Sequence, residues 1–414
     1  MQTPTSATST AAMARAVDSA DAPAHVPRDV IVDFDVYHPP GLADDFHLAW
    51  KNLQGQGLPP LVWTTRNGGH WIPTRGEDVA TLLSDHERLS SRVMSVPKER
   101  VIGNSPIPGS MDPPAQIPFH MLVVAAFAPK AVRNLEESVL ALTTSLIDGL
   151  IDQHGCEFVS EFAIQLPLRI FMGYAALPLA DLPKLRALAE EKVRPTGRIP
   201  VAEVMRQLAE YLEPYISART AAPGDDLISQ LVTGTITGRP MLHDEAIRLC
   251  SQVLVAGLDT VASILSFTML YLARHADIRR RIAAQPERIP AVVEEFIRRF
   301  PLVAIGREVR SDFEFGGVTL RSGDLIVLPT MLYGLDDALF TEPMTVDVER
   351  KPSTNLTFGQ GPHRCPGAPL ARLEMRIVLR EWLRRIPDFS VADGAVPGYK
   401  SGVVGTMSNL PLRW

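Results

Sequence analysis

One cysteine in this chain lies in a loop that suits a metal ligand. Residues 358–367 read Phe-Gly-Gln-Gly-Pro-His-Arg-Cys-Pro-Gly, and a helical pattern follows at once. The N-terminus of a helix carries partial positive charge and favours the thiolate of Cys365, which is the form that binds metals. A lone cysteine is more often a small buried hydrophobic residue. The surrounding glycines, however, let the backbone approach a flat, bulky cofactor closely.

Cys365 has no partners for a zinc site. The other two cysteines, Cys156 and Cys250, are more than a hundred residues away, and no C-x-x-C pair occurs. Zinc needs several ligands at short spacing. A single thiolate indicates haem iron, which takes four ligands from the porphyrin. So few scattered cysteines also predict a reducing compartment and no disulfide framework.

A second candidate site is the stretch Val-Ala-Gly-Leu-Asp-Thr at 255–260, within an apolar helical pattern. In a helix Gly257 costs about 1 kcal/mol relative to alanine, and a buried Asp259 needs a partner. One interpretation is a close helix crossing with Thr260 bonded back to a carbonyl. The other is an acid and an alcohol beside an opened helical turn, which deliver protons to dioxygen.

A third candidate is the pair Glu295 and Arg298, one helical turn apart. Most such pairs are solvated and contribute a few tenths of a kcal/mol. The apolar residues around this pair favour a buried structural clamp instead.

The elements that must position these residues are mostly helices. Helical periodicity predicts helices at 129–153, 179–192, 202–221, 244–275, 278–299 and 367–386. A glycine turn within 61–74 predicts a β-hairpin. The stretch at 314–328 and the C-terminus are also rich in β-forming residues. Residues 1–27 are rich in Ala, Ser, Thr, Asp and Pro and predict a disordered tail. We expect residues 28–414 to form a single domain that is mainly α with small β regions.

Composition excludes several classes of partner. The net charge is −6 with no sustained basic block, which argues against nucleic-acid binding. No run reaches the roughly 18–20 apolar residues that span a bilayer, and the N-terminus does not resemble a signal peptide. The sequence predicts a cytoplasmic protein without membrane contact.

The three motifs, in this order, resemble the cytochrome P450 family over nearly the whole chain after the tail. The cysteine motif is highly specific, Ala-Gly-x-Asp-Thr is moderately specific, and Glu-x-x-Arg is weak alone. The stretches at 110–114, 257–261, 286–290, 384–390 and 400–402 are more specifically similar to the bacterial camphor hydroxylase subfamily. The resemblance implies the P450 fold, with one haem-thiolate domain that binds haem b.

The resemblance also implies residue roles. Cys365 is the iron ligand, Asp259 and Thr260 deliver protons, and Glu295, Arg298 and Arg350 form the clamp. Further cofactor contacts are implied for Arg307, His363, His120, Gln116, Phe358, Gly359 and Gly257. The implied substrate pocket consists of Asn104, Val255, Ala256, Val303 and Val404.

Several positions depart from the subfamily. Asn104 replaces a tyrosine that holds the ketone of camphor, and it either donates to a carbonyl or is an exposed loop residue. His120 replaces an arginine, and Ile117 replaces a basic residue, so the face beside the cysteine is less cationic. Pro366 has no N-H to donate to the sulfur. We expect a substrate larger or flatter than camphor, a terpenoid or norisoprenoid ketone.

The resemblance implies a haem-thiolate monooxygenase that uses O2. Electrons would come from NAD(P)H through a reductase and a [2Fe-2S] ferredoxin, since this chain has no flavin or iron-sulfur motif. We also expect the protein to be a monomer. Two alternatives stay open: a haem-thiolate enzyme that uses peroxide, and a haem sensor without turnover.

Overall fold

The computed structural model describes residues 22–55, 57–98 and 105–414. Most of the predicted tail and the predicted pocket residue Asn104 lie outside these ranges. The α-helices of the described residues are α1 Phe46–Lys51, α2 Gly76–Ser84, α3 Gln116–Ala126, α4 Pro129–Arg133, α5 Glu136–Leu150, α6 Gln165–Tyr174, α7 Leu182–Val193, α8 Val201–Ala221, α9 Leu227–Val232, α10 His243–Gly257, α11 Thr260–Arg274, α12 Ala276–Ala284, α13 Ile289–Arg299, α14 Met331–Gly334 and α15 Ala368–Arg385.

The strands are short, so the prediction of a mainly α fold with small β regions is confirmed. They are β1 Leu61–Thr64, β2 His70–Pro73, β3 Leu89–Ser90, β4 Gly155–Glu157, β5 Thr235–Ile236, β6 Arg239–Pro240, β7 Ala304–Val309, β8 Phe313–Phe315, β9 Val318–Leu320, β10 Leu325–Pro329, β11 Ser390–Val391, β12 Gly398–Lys400, β13 Thr406–Asn409 and β14 Pro411–Arg413.

The predicted helix at 244–275 is two helices, α10 and α11. The chain leaves helical geometry at Asp259, where φ is −138° and ψ is −35°. Glycine before the break and a polar residue at it weaken the helix at this point. The opened turn therefore lies where the motif at 255–260 predicts it.

The segment His243–Arg274, which contains both helices, is also long and apolar enough to cross a membrane. Of its most apolar window, 72% is buried inside the protein, as expected for a core helix.

Other differences follow from proline and from uniform apolarity. The predicted helix at 278–299 divides into α12 and α13 because Pro286 begins a separate turn, and Pro290 lies in the first turn of α13. Helix α3 was not predicted because its sequence, Gln-Ile-Pro-Phe-His-Met-Leu-Val-Val-Ala-Ala, has no clear polar stripe.

The largest sheet has the strand order β1-β2-β10-β7-β3. The predicted hairpin is present, with Leu61 opposite Pro73. Strand β10 pairs in parallel with β2 and antiparallel with β7, where Ile326 lies opposite Arg307. Strand β7 was not predicted because Arg307 and Glu308 interrupt its apolar pattern, yet both are buried.

Residues 22–27, within the predicted tail, contact this sheet. Val26 is buried, and His25 Nε2 lies 2.9 Å from Asp324 Oδ2.

Candidate active site

The loop that carries Cys365 is held by its own backbone. The amide of Cys365 donates to the carbonyl of Phe358 at 2.8 Å, and Gly359 and Gly361 adopt positive φ of 69° and 72°. A side chain on Gly361 would also lie 3.2 Å from the carbonyl oxygen of Leu83. Glycine is therefore required for both conformation and space, and the turn delivers the cysteine just before α15.

The electrostatics of the Cys365 sulfur differ from those of the other cysteines. The residue is exposed, but protein atoms pack closely around its sulfur, and this burial raises the thiol's pKa. Amides of Gly367 and Ala368 and the charges of Arg372 and Arg364 oppose the rise. These two amides supply donors in place of the one that Pro366 lacks.

Within the described ranges, no such donors lie at the other two thiols. Burial raises the pKa of Cys156 and of Cys250 to about 12. Neither is available as a thiolate near neutral pH.

Arg372 fixes the first turns of α15. It donates to both carboxylate oxygens of Glu294 on α13, at 2.6 and 3.0 Å, and its guanidinium lies 4.7 Å from the ring centroid of Phe358. Phe358 thus positions Cys365 through its carbonyl and Arg372 through its ring.

Arg307 is a buried cation with no ion pair among the described residues. Only 6% of the residue is exposed, and Nη1 donates to the carbonyl of Gly306 at 2.8 Å. Burial lowers the pKa of Arg307 to about 10, against the field of Asp112. Asp112 itself pairs with Arg310. A charge buried in this way calls for an anionic ligand.

His363, near Arg307, is neutral at pH 7. Burial, with the nearby charges of Arg307 and His120, lowers the pKa of His363 to about 4, and burial also lowers the pKa of His120. His363 Nε2 lies 3.0 Å from Ser91 Oγ, and the backbone of Met111 bonds the same ring. His363 is therefore already engaged, and Arg307 is the better candidate for an anionic ligand.

Gln116 has a positioning contact rather than a free donor. Its Nε2 donates to the carbonyl of Pro362 at 2.8 Å, next to His363, while its Oε1 is buried and has no partner in the part of the chain that the structure describes. The side chain ties α3 to the cysteine loop.

The break between α10 and α11 brings Asp259 to a buried arginine that the sequence did not identify. Arg194 Nη1 donates to Asp259 Oδ2 at 2.7 Å and to the carbonyl of Val404 at 3.0 Å. Thr260 Oγ1 is 3.4 Å from the carbonyl of Ala256, a long hydrogen bond that leaves the hydroxyl free to turn. Both interpretations of Thr260 are thus compatible with its position.

The predicted pocket walls come together around this break. Val303 and Val404 pair in an isolated β-bridge, Val255 is buried, and Ala256 is exposed although it lies in a core helix. The structure gives Gly257 a packing reason: a side chain there would lie 2.5 Å from the ring of Phe171.

Strand β7 links the two halves of the site. Its start follows Val303, beside the helix break, and Arg307 further along the strand lies near His363 in the cysteine loop. Four residues of extended chain span about 13 Å. The strand therefore places the helix break and the cysteine loop on one site.

The structure also brings the three predicted clamp residues together. Glu295 accepts from Arg298 at 2.7 and 2.8 Å and from Arg350 at 3.1 Å, and the amide of Asp347 donates to it at 2.9 Å. Arg298 also donates to three backbone carbonyls, those of Gly334, Pro343 and Thr345. The pair Glu295 and Arg298 is buried and satisfied, and it ties α13 to the chain at 334–350.

These residues fit a haem. Cys365 is an exposed residue, Arg307 is a buried cation that a haem carboxylate would neutralise, and the apolar walls at Val255, Val303 and Val404 suit the porphyrin's surroundings. Cys365 would hold the iron and Arg307 a carboxylate.

Comparisons with known proteins agree with this geometry. A sequence model of the family "Cytochrome P450" matches residues 201–392. The chain is 32% identical over 402 residues to the probable cytochrome P450 127A1 of Sinorhizobium fredii, covering 95% of this chain and 96% of the relative. It is 31% identical to the erythromycin C-12 hydroxylase of Saccharopolyspora erythraea, covering 90% and 96%.

Solved structures are similar over the same length. The chain is 44% identical to CYP101J2, with a TM-score of 0.86, and 42% identical to CYP101C1, with a TM-score of 0.88. In both cases 95% of this chain and 99% of the other are covered. These similarities confirm the predicted P450 fold and the resemblance to the camphor hydroxylase-like subfamily, and the chain belongs to the cytochrome P450 family of monooxygenases.

Proposed function

We propose that this protein uses haem b to hydroxylate a small apolar ketone of the terpenoid or norisoprenoid class. The observation that carries the proposal is the acid-alcohol pair at the helix break: Asp259 is held by Arg194, and Thr260 is next to it. Thiolate-bound haem supplies the activation of O2 and the oxidation of a C-H bond.

The chain's own residues have two tasks at the haem in this proposal. Cys365 holds the iron, with the amides of Gly367 and Ala368 directed at its sulfur. Asp259 and Thr260 relay protons. Hydrogen bonds and charge at such positions decide whether a proton is delivered to the reacting oxygen or lost to side reactions.

The pocket supports an apolar substrate. Val255, Val303 and Val404 present branched aliphatic side chains, and such walls place a hydrocarbon by shape and exclusion of water. The small side chain of Ala256 leaves room beside the helix break. A ketone rather than a pure hydrocarbon is proposed because Asn104 stands where the subfamily has a tyrosine that holds a substrate ketone.

The surface beside the cysteine loop supports docking of a [2Fe-2S] ferredoxin, itself reduced by an NAD(P)H-dependent reductase. Ile117 and Met121, one turn apart on α3, are 48% and 55% exposed, and Gln116 joins this helix to the loop. Exposed apolar side chains of this size suit a protein contact. We further propose a cytoplasmic monomer.

Two measurements test the proposal. The reduced, CO-bound protein should show the red-shifted Soret band of a thiolate-bound haem, and NADH with a ferredoxin and its reductase should drive formation of a hydroxylated product. A haem Soret band without any product formation would favour the sensor alternative.

Thr260→Ala separates the monooxygenase from the peroxide-using alternative. In the monooxygenase this variant should consume O2 and NADH but release hydrogen peroxide instead of product. If peroxide alone supports full product formation in wild type and variant alike, the peroxide-using alternative is correct.

A further inference from the structure

Three residues, each four positions apart, lie along one face of α10: Arg248, Gln252 and Ala256. Arg248 Nε donates to the carbonyl of Ser105 at 2.8 Å and so fastens the chain at 105 to the helix. Ala256, at the other end, is exposed and lies three residues before the helix break at Asp259. Gln252 lies between them and is half-buried.

The surroundings of Gln252 place it beside the strand that links the two halves of the site. A side chain on Gly109 would lie 3.5 Å from the amide carbon and nitrogen of Gln252 and 3.2 Å from the sulfur of Met94. The carbonyl of Met94 accepts from Gly306 at 2.8 Å, on β7 next to Arg307. Gln252, on α10, therefore lies next to the loop at 105–111, close to Met94, which is bonded to β7.

The carboxamide of Gln252 has no hydrogen-bond partner among the described residues. Its amide N-H groups and its carbonyl oxygen are therefore free to bind a ligand. A ligand oxygen in the adjoining pocket would satisfy the amide.

We propose that Gln252 is a substrate-specificity residue that donates a hydrogen bond from its amide to the carbonyl oxygen of the substrate. This rests on the proposed function and deepens it. It adds a polar contact on α10, one helical turn before Ala256, to the one expected at Asn104.

The test is a pair of probes that differ only in one oxygen: a C13 norisoprenoid ketone and the hydrocarbon in which a methylene replaces its carbonyl. Binding to the haem-loaded protein is measured by calorimetry and by displacement of an imidazole ligand. Gln252→Leu should weaken binding of the ketone about 3- to 10-fold, which is the usual contribution of one hydrogen bond. The affinity for the hydrocarbon should stay the same or increase.

Controls separate recognition from folding. Gln285→Leu, at an exposed helix end, should leave both affinities unchanged, and Gln252→Met serves if the leucine variant does not fold. An equal change for ketone and hydrocarbon, or failure of the ketone to bind wild type better than the hydrocarbon, overturns the assignment. Failure of the proposed function is distinct, because it would show as loss of the CO-bound Soret band or of NADH-driven product.

Discussion

Arg194 and Asp259 are joined by a 2.7 Å hydrogen bond although 65 residues separate them in the chain. The arginine follows α7 directly, and the aspartate lies in the break between α10 and α11. Only 7% of the arginine side chain and 21% of the aspartate side chain are exposed. The pair thus holds a charged group next to Thr260 in a largely apolar region.

Asp259→Asn should lower the rate of product formation at least about 10-fold while substrate affinity stays the same. The amide keeps the shape of the side chain but cannot accept and release a proton, and positioned acids and bases contribute 10-fold or more to rates. The rate of NADH-driven product formation and the substrate Kd together check this.

Asp388→Asn is the control, because the side chain of Asp388 is 81% exposed. It should change neither the rate of product formation nor the substrate Kd. Arg194→Lys should retain more activity than Arg194→Met, because it keeps a cation for Asp259. Equal rates in wild type and Asp259→Asn would exclude a role for this carboxylate in proton delivery.

Glu295→Gln should destabilise the haem-loaded protein. The variant leaves the buried Arg298 without a counter-charge. For buried pairs of this kind, removing one partner lowers the free energy of unfolding by about 3–5 kcal/mol. We expect a lower thermal midpoint and a reduced haem content. Glu349→Gln removes an exposed carboxylate that pairs with Arg281 and Arg288, and should change neither. Similar midpoints for the two variants would show that the clamp is not structural.

Glu374 should make stability fall as pH rises. It is 1% exposed, neither oxygen has a partner among the described residues, and burial raises the pKa of its carboxyl to about 8. The folded protein keeps this proton where the unfolded chain, with a pKa near 4.5, has lost it. Between these values the unfolded state binds fewer protons, so stability is lost with rising pH, by up to about 1.4 kcal/mol per pH unit.

Thermal midpoints from pH 5 to 8 check this. Glu374→Gln should match wild type at pH 5 and exceed it increasingly toward pH 8. Glu381→Gln, on the same helix, is the control: Arg384 and Arg380 oppose the effect of burial and lower the pKa of Glu381, so its difference from wild type should not grow above pH 5. Parallel curves for Glu374→Gln and wild type would contradict the prediction.

Electron transfer from an acidic [2Fe-2S] ferredoxin should depend only weakly on salt. The α3 surface presents Ile117 and Met121, burial lowers the pKa of His120 and so disfavours its charged form, and Arg372 is already paired with Glu294. Contacts without free charges are little affected by ionic screening. The reduction rate, measured by stopped flow, should change less than about 3-fold between 50 and 300 mM salt.

Ile117→Arg provides the matched comparison. It adds a cation at the same position, so it should raise the rate at low salt and steepen the salt dependence. A steep loss of rate in wild type would show that other charges control docking.

The local chemistry of this protein could be predicted from its sequence because it depends on neighbours in the chain. The glycines around Cys365, the weakened turn at Gly257 and Asp259, and the one-turn spacing of Glu295 and Arg298 are short-range features, and each is present in the structure. Helical periodicity likewise predicted most long helices. It missed the division between α12 and α13 at Pro286, and it missed α3, whose sequence has no clear polar stripe.

Only the tertiary structure decided which distant groups meet. The sequence indicated that Asp259 needs a partner, but nothing in it distinguished Arg194 from the other arginines. Strand β7 was not predicted because Arg307 and Glu308 interrupt its apolar pattern, and the strand is stabilised by long-range pairing with β10. This strand joins the cysteine loop to the helix break. Long-range contacts depend on packing of the whole chain, whereas caps, turns and helix breaks depend on a few adjacent residues.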